Sequence, residues 1–383
     1  MAFRKNTGAA VLFAVWWLLA IAAAGQQEPA FETWRTGPTH AAIPWSTHIS
    51  PVRLSAHQRL EIVLRIDSRD KENLEAVFEL ENERGNRTQV RAPVLRGVVE
   101  QRAFVLPGKY TVSMALWNPK SDAYSFTKRT LHVPPLKRDP LPEIWTDLPP
   151  AEFAPLSGDS PESWFLPQLH GRLRVRVRSR HMLHVDLALD THLTGRAATS
   201  VVESRRSLAS LIPSFKALAR IRMENGSIET SVLDPTPHRS VIESDAGTLV
   251  WDQLRAAIGI DRAITVNIAN LHSESTPDRH LSGEIERMLG TGDDGRAVIV
   301  LSGSPPAPDL PMHSRLFYIQ YVTPPLKQER VQHRPAGNLK GPPIGVFRFE
   351  APGAIAGARI YRVQSPAEFR EVIAAITRAL ATM

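Results

Sequence analysis

The chain has 383 residues, which is enough for two domains of ordinary size. Apolar residues make up 43% and charged residues 22%, a globular composition that excludes collagen-like, fully disordered and multi-span membrane proteins. Cysteine is absent, which excludes disulfides, thiolate metal sites, iron–sulfur clusters and thiol nucleophiles. The net charge of +7 is modest. Because no aromatic-basic motif accompanies it, nucleic acid is not an expected partner.

The first 25 residues are typical of a secretory signal peptide. Arg4 and Lys5 precede an uncharged apolar run at residues 9–24, and small residues end that run before a polar segment. The run is shorter than the roughly 20 residues that a membrane-spanning helix needs, although an uncleaved anchor is the alternative. We therefore expect a secreted or periplasmic protein, cleaved near Ala24 or Gly25, with no stable membrane insertion afterwards.

Residues 26–134 show the period of two that is typical of strands. Short alternating or apolar runs at residues 59–66, 76–80, 101–106, 110–117 and 125–133 are separated by turn residues such as Pro107 and Gly108. This spacing predicts an antiparallel β-sandwich of immunoglobulin-like size.

Residues 135–167 are rich in proline, and they predict a linker between two domains. Trp145 and Trp164 interrupt the linker, so we expect parts of it to pack on a domain.

Residues 168–383 alternate strand and helix patterns. Strands are predicted at residues 181–190, 297–301 and 317–322, and a terminal helix begins after Ser365 as N-cap, with Pro366 in its first turn. Such alternation predicts an α/β domain with a doubly wound, mostly parallel sheet. Sites in such sheets form at the carboxyl ends of the strands.

Several short segments of the sequence resemble those of a known protein family. The strand that ends in Leu189-Asp190, the buried strand at 297–301 and the closing segment at 359–363 with its amphipathic helix resemble a von Willebrand factor A domain. The secretory start, with Ile43-Pro44-Trp45 and His57-Gln58-Arg59, is similar to the secreted von Willebrand factor A-related proteins of acidobacteria. The resemblance spans most of the mature chain.

The resemblance implies a site for Mg²⁺ or Ca²⁺, bound through Asp-x-Ser-x-Ser, a loop threonine and a later aspartate. Asp190 and Thr194 match the ends of the first motif, but His192 replaces its central serine, and Thr248 offers the loop hydroxyl. Ser302-Gly303-Ser304 stands where the later aspartate is expected, so one carboxylate is missing. We therefore expect a degenerate metal site and no cofactor, with Mg²⁺ or Ca²⁺ as the alternative.

Three other patterns have a structural and a functional interpretation. A cluster of His181, His184 and His192 with Asp186 and Asp190 would need side chains from both faces of one strand, which favours a structural or solvated role. The basic stretch at 172–180 favours a charge-protected edge strand over a surface for an acidic partner. Ser302 follows a buried strand, but the Gly-x-Ser-x-Gly pattern of a hydrolase is absent.

These observations favour an exported, non-enzymatic protein–protein interaction module with a degenerate von Willebrand factor A-like domain. Its expected partner is a protein, and no catalytic residue is assigned. The alternatives are a metal-dependent adhesion domain and a secreted hydrolase.

Overall fold

The structure is a computed structural model, and it describes residues 28–36, 40–69, 73–154, 173–191, 201–233, 239–242, 276–290, 295–311, 313–322 and 357–383. These residues form eighteen strands and four α-helices. None of the helices in the described part of the chain is both long enough and apolar enough to cross a bilayer. Residues 1–25, predicted as the signal peptide, lie outside the described residues.

The chain divides into two compact units. The first comprises residues 1–49, 64–100 and 109–132, and the second comprises residues 50–63, 101–108 and 133–383. The sequence-based limits at 1–25, 26–134, 135–167 and 168–383 stay a prediction.

The elements up to residue 154 are almost all strands. They are α1 (Glu28–Thr36), β1 (His40–Ala41), β2 (Trp45–Ile49), β3 (Arg53–Leu54), β4 (Leu60–Ser68), β5 (Glu75–Asn82), β6 (Arg87–Pro93), β7 (Val98–Val105), β8 (Gly108–Trp117), β9 (Tyr124–Val133), a 3₁₀-helix (Pro142–Trp145) and β10 (Ala151–Phe153).

Two antiparallel sheets contain these strands. The order in one sheet is β1-β9-β8-β5-β6, and the order in the other is β10-β7-β4-β2, with β3 also paired to β4. β5 runs antiparallel to both of its neighbours, and β2 and β3 run antiparallel to β4. In the first unit, Phe31 and Trp34 of α1 are one helical turn apart and pack into a core with Val77, Ala115, Trp117 and Phe126. The Trp34 ring stacks on Tyr124 with 4.4 Å between centroids.

The elements after residue 172 mix strands and helices. They are β11 (Val175–Val177), β12 (Leu183–Asp190), α2 (Val201–Leu218), β13 (Ile221–Met223), β14 (Gly226–Leu233), β15 (Arg239–Ile242), α3 (Thr276–Leu289), β16 (Arg296–Ser302), β17 (Leu316–Tyr321), β18 (Arg359–Val363) and α4 (Pro366–Thr382).

Six of these strands form one sheet, in the order β15-β14-β12-β16-β17-β18. The four pairs from β14 to β18 are parallel, whereas β15 runs antiparallel to β14. One face of the sheet packs on α3, in a core whose members include Ala188, Val300, Tyr318, Ile285 and Met288. β12 and β16 lie in the middle of the sheet and are buried along most of their length.

The predicted start of the terminal helix is confirmed. Ser365 is the N-cap of α4, its Oγ accepts a hydrogen bond from the backbone N–H of Glu368, and Pro366 lies in the first turn. These residue types satisfy the first backbone donors of a helix without help from other segments.

The predicted fold class is wrong. The sequence predicted an immunoglobulin-like β-sandwich followed by a von Willebrand factor A-like, doubly wound domain, which needs a central parallel sheet flanked by helices. The described chain is instead mostly β, with antiparallel sheets before residue 154, an antiparallel edge strand in the later six-stranded sheet, and few helices. The prediction relied on a regular alternation of strand and helix, but β13 leads to β14 with no helix between them, and β15 then returns antiparallel to β14.

The predicted linker has regular structure where it is described. Ile144, Trp145 and Leu148 are buried, and β10 pairs antiparallel with β7. The Trp145 indole Nε1–H donates to the carbonyl of Gln58 at 2.8 Å. Trp164 lies outside the described residues.

Candidate functional site

The parallel strands β12 and β16 end side by side at Asp190 and Ser302, which are register partners. The Ser302 hydroxyl donates to Asp190 Oδ2 at 2.6 Å, and the backbone N–H of Ser304 donates to Ser302 Oγ at 2.9 Å. Both side chains are buried. The Asp190 carboxylate is therefore a hydrogen-bond acceptor inside the carboxyl edge of the sheet.

Neighbouring residues hold the same edge together. The backbone N–H and the hydroxyl of Thr191 both donate to the carbonyl of Leu233, at the end of β14. The Tyr318 hydroxyl donates to the carbonyl of Ser304 at 3.2 Å. These contacts join the ends of β12 and β14, and they hold the segment after β16 against β17.

The structure describes one of the three predicted metal ligands. Asp190 lies at the strand end, as predicted, while Thr194 and Thr248 lie outside the described residues. The ligand set of Asp190, Thr194 and Thr248 therefore stays a prediction. Asp309, in the segment that follows β16, accepts a hydrogen bond from the Ser282 hydroxyl of α3 at 2.9 Å.

A second polar cluster lies nearer the amino ends of the strands. His184 Nε2 is 3.7 Å from Asp186 Oδ1 and 3.9 Å from Glu229 Oε2. One potential ligand atom from each of these residues lies within 4.8 Å of the others. The other ring nitrogen of His184, Nδ1, is 2.7 Å from Ser227 Oγ. The cluster therefore has one imidazole and two carboxylates facing a common point.

The register of two strands creates this cluster. His184 and Asp186 are two residues apart on β12 and so share a face, and their direct neighbours on β14 are Ser227 and Glu229. The start of β12 is held between two turns. The Leu183 N–H donates to the Asn225 carbonyl, and the His184 N–H donates to the Gly295 carbonyl at 2.7 Å.

Glycine at position 226 permits the close approach of these strands. Its φ is +144°, and a Cβ placed there would lie 1.9 Å from the carbonyl oxygen of Leu183. A residue with a side chain would therefore push β14 away from β12 and would separate Glu229 from Asp186.

The cluster is partly buried and strongly charged. The Asp186 side chain is 5% exposed, whereas His184 and Glu229 are about one-third exposed. The interaction of His184 with Asp186 raises the pKa of His184 above its ordinary value. Burial and the positive charge of Arg296 both act in the opposite direction and lower this pKa. Arg287 of α3 binds Glu284 and also interacts with Asp186 and Glu229.

Sequence reasoning considered five residues near β12 and favoured a structural or solvated role for them. Of the five considered, His184 and Asp186 belong to the cluster, His181 is exposed, and His192 lies outside the described residues. Asp190 is at the opposite end of β12. Glu229 was missed because only strand pairing brings it to Asp186, although the polar alternation at 184 and 186 in a buried strand was a signal.

The comparisons with known proteins identify no family. No protein-family model matches the sequence, and no curated protein matches it. Among solved structures, a crystal structure of a Parabacteroides merdae β-glucuronidase is similar at 11% identity, covering 73% of this chain and 37% of that chain, with a TM-score of 0.19. This chain thus spans well under half of that protein, and so low a TM-score carries no argument. The resemblance to von Willebrand factor A-related proteins gains no support.

Proposed function

We propose that this protein is an exported, non-enzymatic module that binds a protein partner through the tip of the turn that connects β6 to β7. One observation carries the proposal, namely that Leu95 at this tip is 71% exposed. Val98 opposite Leu95 is 37% exposed, and Arg96 between them is also exposed. The name "apolar tip" is used below for Leu95, Arg96 and Val98.

The turn that presents the apolar tip is well defined. Leu95 and Val98 form a β-bridge, and the Val98 N–H donates to the Leu95 carbonyl at 3.1 Å. Arg96 and Gly97 have φ values of 57° and 81°, the positive angles that a type I′ turn requires. The Gly97 carbonyl also accepts a hydrogen bond from the Ser68 N–H at 2.7 Å.

A rigid apolar tip favours association with a protein. Moving Leu95 and Val98 from water into a pocket on a partner would remove apolar surface from water, which is the main driving force of protein association. Because the turn is already ordered, little conformational entropy would be lost on binding. Arginine is enriched at protein interfaces, and the exposed Arg96 lies in the same turn, between Leu95 and Val98 in the sequence.

The test is site-specific crosslinking followed by a binding measurement. A photo-crosslinking amino acid replaces Arg96 in the full chain, expressed in the cells that naturally produce it, and in a second preparation it replaces the exposed Lys120 of another turn. We expect one crosslinked protein at position 96 that is absent at position 120. That protein, identified by mass spectrometry and purified, should bind the unmodified chain in calorimetry.

Leu95→Asp should then weaken binding at least about tenfold, which corresponds to about 1.4 kcal/mol. Met182→Asp is the matched control, since Met182 is 83% exposed but lies elsewhere on the chain. Equal affinity of Leu95→Asp and the unmodified chain, or no crosslink specific to position 96, would overturn the proposal.

A further inference from the structure

The cluster of His184, Asp186 and Glu229 has the composition and spacing of a metal site. We propose that the imidazole of His184 and the carboxylates of Asp186 and Glu229 bind a divalent transition-metal ion, and that zinc is the ion that suits them best. This site is distinct from the Mg²⁺ or Ca²⁺ site predicted at Asp190, because it lies towards the other end of β12. It is also independent of the apolar tip.

The distances fit a shared ion better than direct hydrogen bonds. Nitrogen and oxygen atoms that share a hydrogen bond lie about 2.7–3.2 Å apart. His184 Nε2 lies 3.7 and 3.9 Å from its two carboxylate neighbours, beyond that range. Two ligands about 2.1 Å from one tetrahedral zinc ion are roughly 3.4 Å apart, so the three ligand atoms, which lie within 4.8 Å of one another, would have to move closer together to hold the ion.

Ser227 orients the imidazole for this role. Its Oγ is 2.7 Å from His184 Nδ1. With the proton on Nδ1 donated to Ser227, the lone pair of Nε2 points towards Asp186 and Glu229. Histidine ligands of metal ions usually make this kind of hydrogen bond through their second nitrogen, which fixes the tautomer and the direction of the ring.

The ligand types select the class of ion. An imidazole nitrogen suits zinc and its transition-metal neighbours, whereas Mg²⁺ and Ca²⁺ prefer sites made of oxygen atoms alone. Two carboxylates would neutralise the charge of a divalent ion.

Two positive groups of the described residues near the cluster are Arg287 and Arg296. Arg287 of α3 is 2.7 Å from Glu284, and Arg296 is the register partner of His184 on β16. Because Arg287 attracts both carboxylates and Arg296 repels positive charge at His184, we expect both arginines to weaken the binding of the ion. Three protein ligands, two of them partly exposed, would leave a coordination position open to water.

The test uses the full-length protein after a chelator has removed metal. Calorimetric titration with ZnCl₂ should show one saturable site, and titration with CoCl₂ should produce visible absorption bands of cobalt bound by nitrogen and oxygen ligands. His184→Gln and Glu229→Gln should each weaken zinc binding more than about tenfold, and Ser227→Ala should weaken it about 10- to 100-fold. Circular dichroism should show that these three variants remain folded.

His181→Gln is the matched control. It removes an exposed imidazole three residues before His184 and should leave the zinc affinity unchanged. Three results would each overturn the metal-site proposal. They are zinc binding that is unchanged in His184→Gln, an equal loss of zinc affinity in His181→Gln and His184→Gln, and the absence of saturable zinc binding. None of these results bears on crosslinking at position 96, so the two proposals fail separately.

Discussion

Arg370 of α4 and Asp139 form a two-pronged ion pair, with Nε and Nη2 of the arginine 2.6 and 2.7 Å from the two carboxylate oxygens. The Arg370 side chain is 1% exposed. Its Nη2 also donates to the Leu141 carbonyl at 2.8 Å, and its guanidinium lies 4.4 Å from the centre of the Trp145 ring. Through these contacts Arg370 therefore holds residues 139–145 against the terminal helix α4.

Removing either partner of the pair should strongly destabilise the protein. Arg370→Met and Asp139→Asn should each lower the free energy of unfolding by about 3–5 kcal/mol, because each leaves one member of a buried pair without its counter-charge. Urea unfolding measures the change. Arg178→Ala, which breaks a surface pair with Glu224, should change stability by no more than about 1 kcal/mol. Equal effects of Arg370→Met and Arg178→Ala would contradict this prediction.

The same pair predicts a loss of stability in acid. Burial raises the pKa of Asp139, but hydrogen bonds from Arg370 and the Leu141 N–H, together with the arginine charge, outweigh it and lower the pKa below its ordinary value. A carboxyl group with a lowered pKa stabilises the fold above its unfolded pKa of about 3.9, and this contribution disappears as the pH falls through the folded value.

The measurement is the unfolding free energy of the natural chain and of Asp139→Asn from pH 3 to pH 7. The difference between them should be constant above about pH 5 and should shrink below about pH 4. A difference that grows as the pH falls would show that the sign is wrong.

The hydrogen bond between the Ser302 hydroxyl and the Asp190 carboxylate should stabilise the fold. Ser302→Ala and Asp190→Ala should each lower the unfolding free energy by about 1–3 kcal/mol, because buried donors or acceptors lose their partner. Thr146→Ala, at an exposed position, should change stability by about 0.5 kcal/mol or less. Adding Mg²⁺ or EDTA should leave the melting temperature of the natural chain unchanged. A rise with Mg²⁺ that Asp190→Ala abolishes would instead support the Mg²⁺ site predicted from the sequence.

Two glycines should respond to alanine in opposite ways. At Gly226 a Cβ would lie 1.9 Å from the Leu183 carbonyl, so Gly226→Ala should destabilise the sheet by more than about 1 kcal/mol. Gly283 is an exposed residue of α3 with open space around it, so Gly283→Ala should stabilise the protein by about 0.5–1 kcal/mol. Thermal unfolding of both variants measures these changes, and destabilisation by Gly283→Ala would refute the helix argument.

Some of the fold follows from local sequence alone. The apolar run of β16, the strand that ends at Asp190 and the capped start of α4 lie where the sequence places them. Each is encoded within a few residues, by apolar periodicity or by a serine and a proline at a helix start. Asp190 was found as a strand-end residue in the same way.

Local sequence patterns could not predict contacts between residues that are far apart in the chain. Asp186 and Glu229 are 43 residues apart, Asp190 and Ser302 are 112 residues apart, and Asp139 and Arg370 are 231 residues apart. The predicted fold class was wrong for the same reason. The direction of a strand and its neighbours in the sheet, such as the antiparallel pairing of β15 with β14, depend on hydrogen bonds between distant parts of the chain. Local periodicity reports which side of an element is buried, whereas only the folded chain decides which buried sides meet.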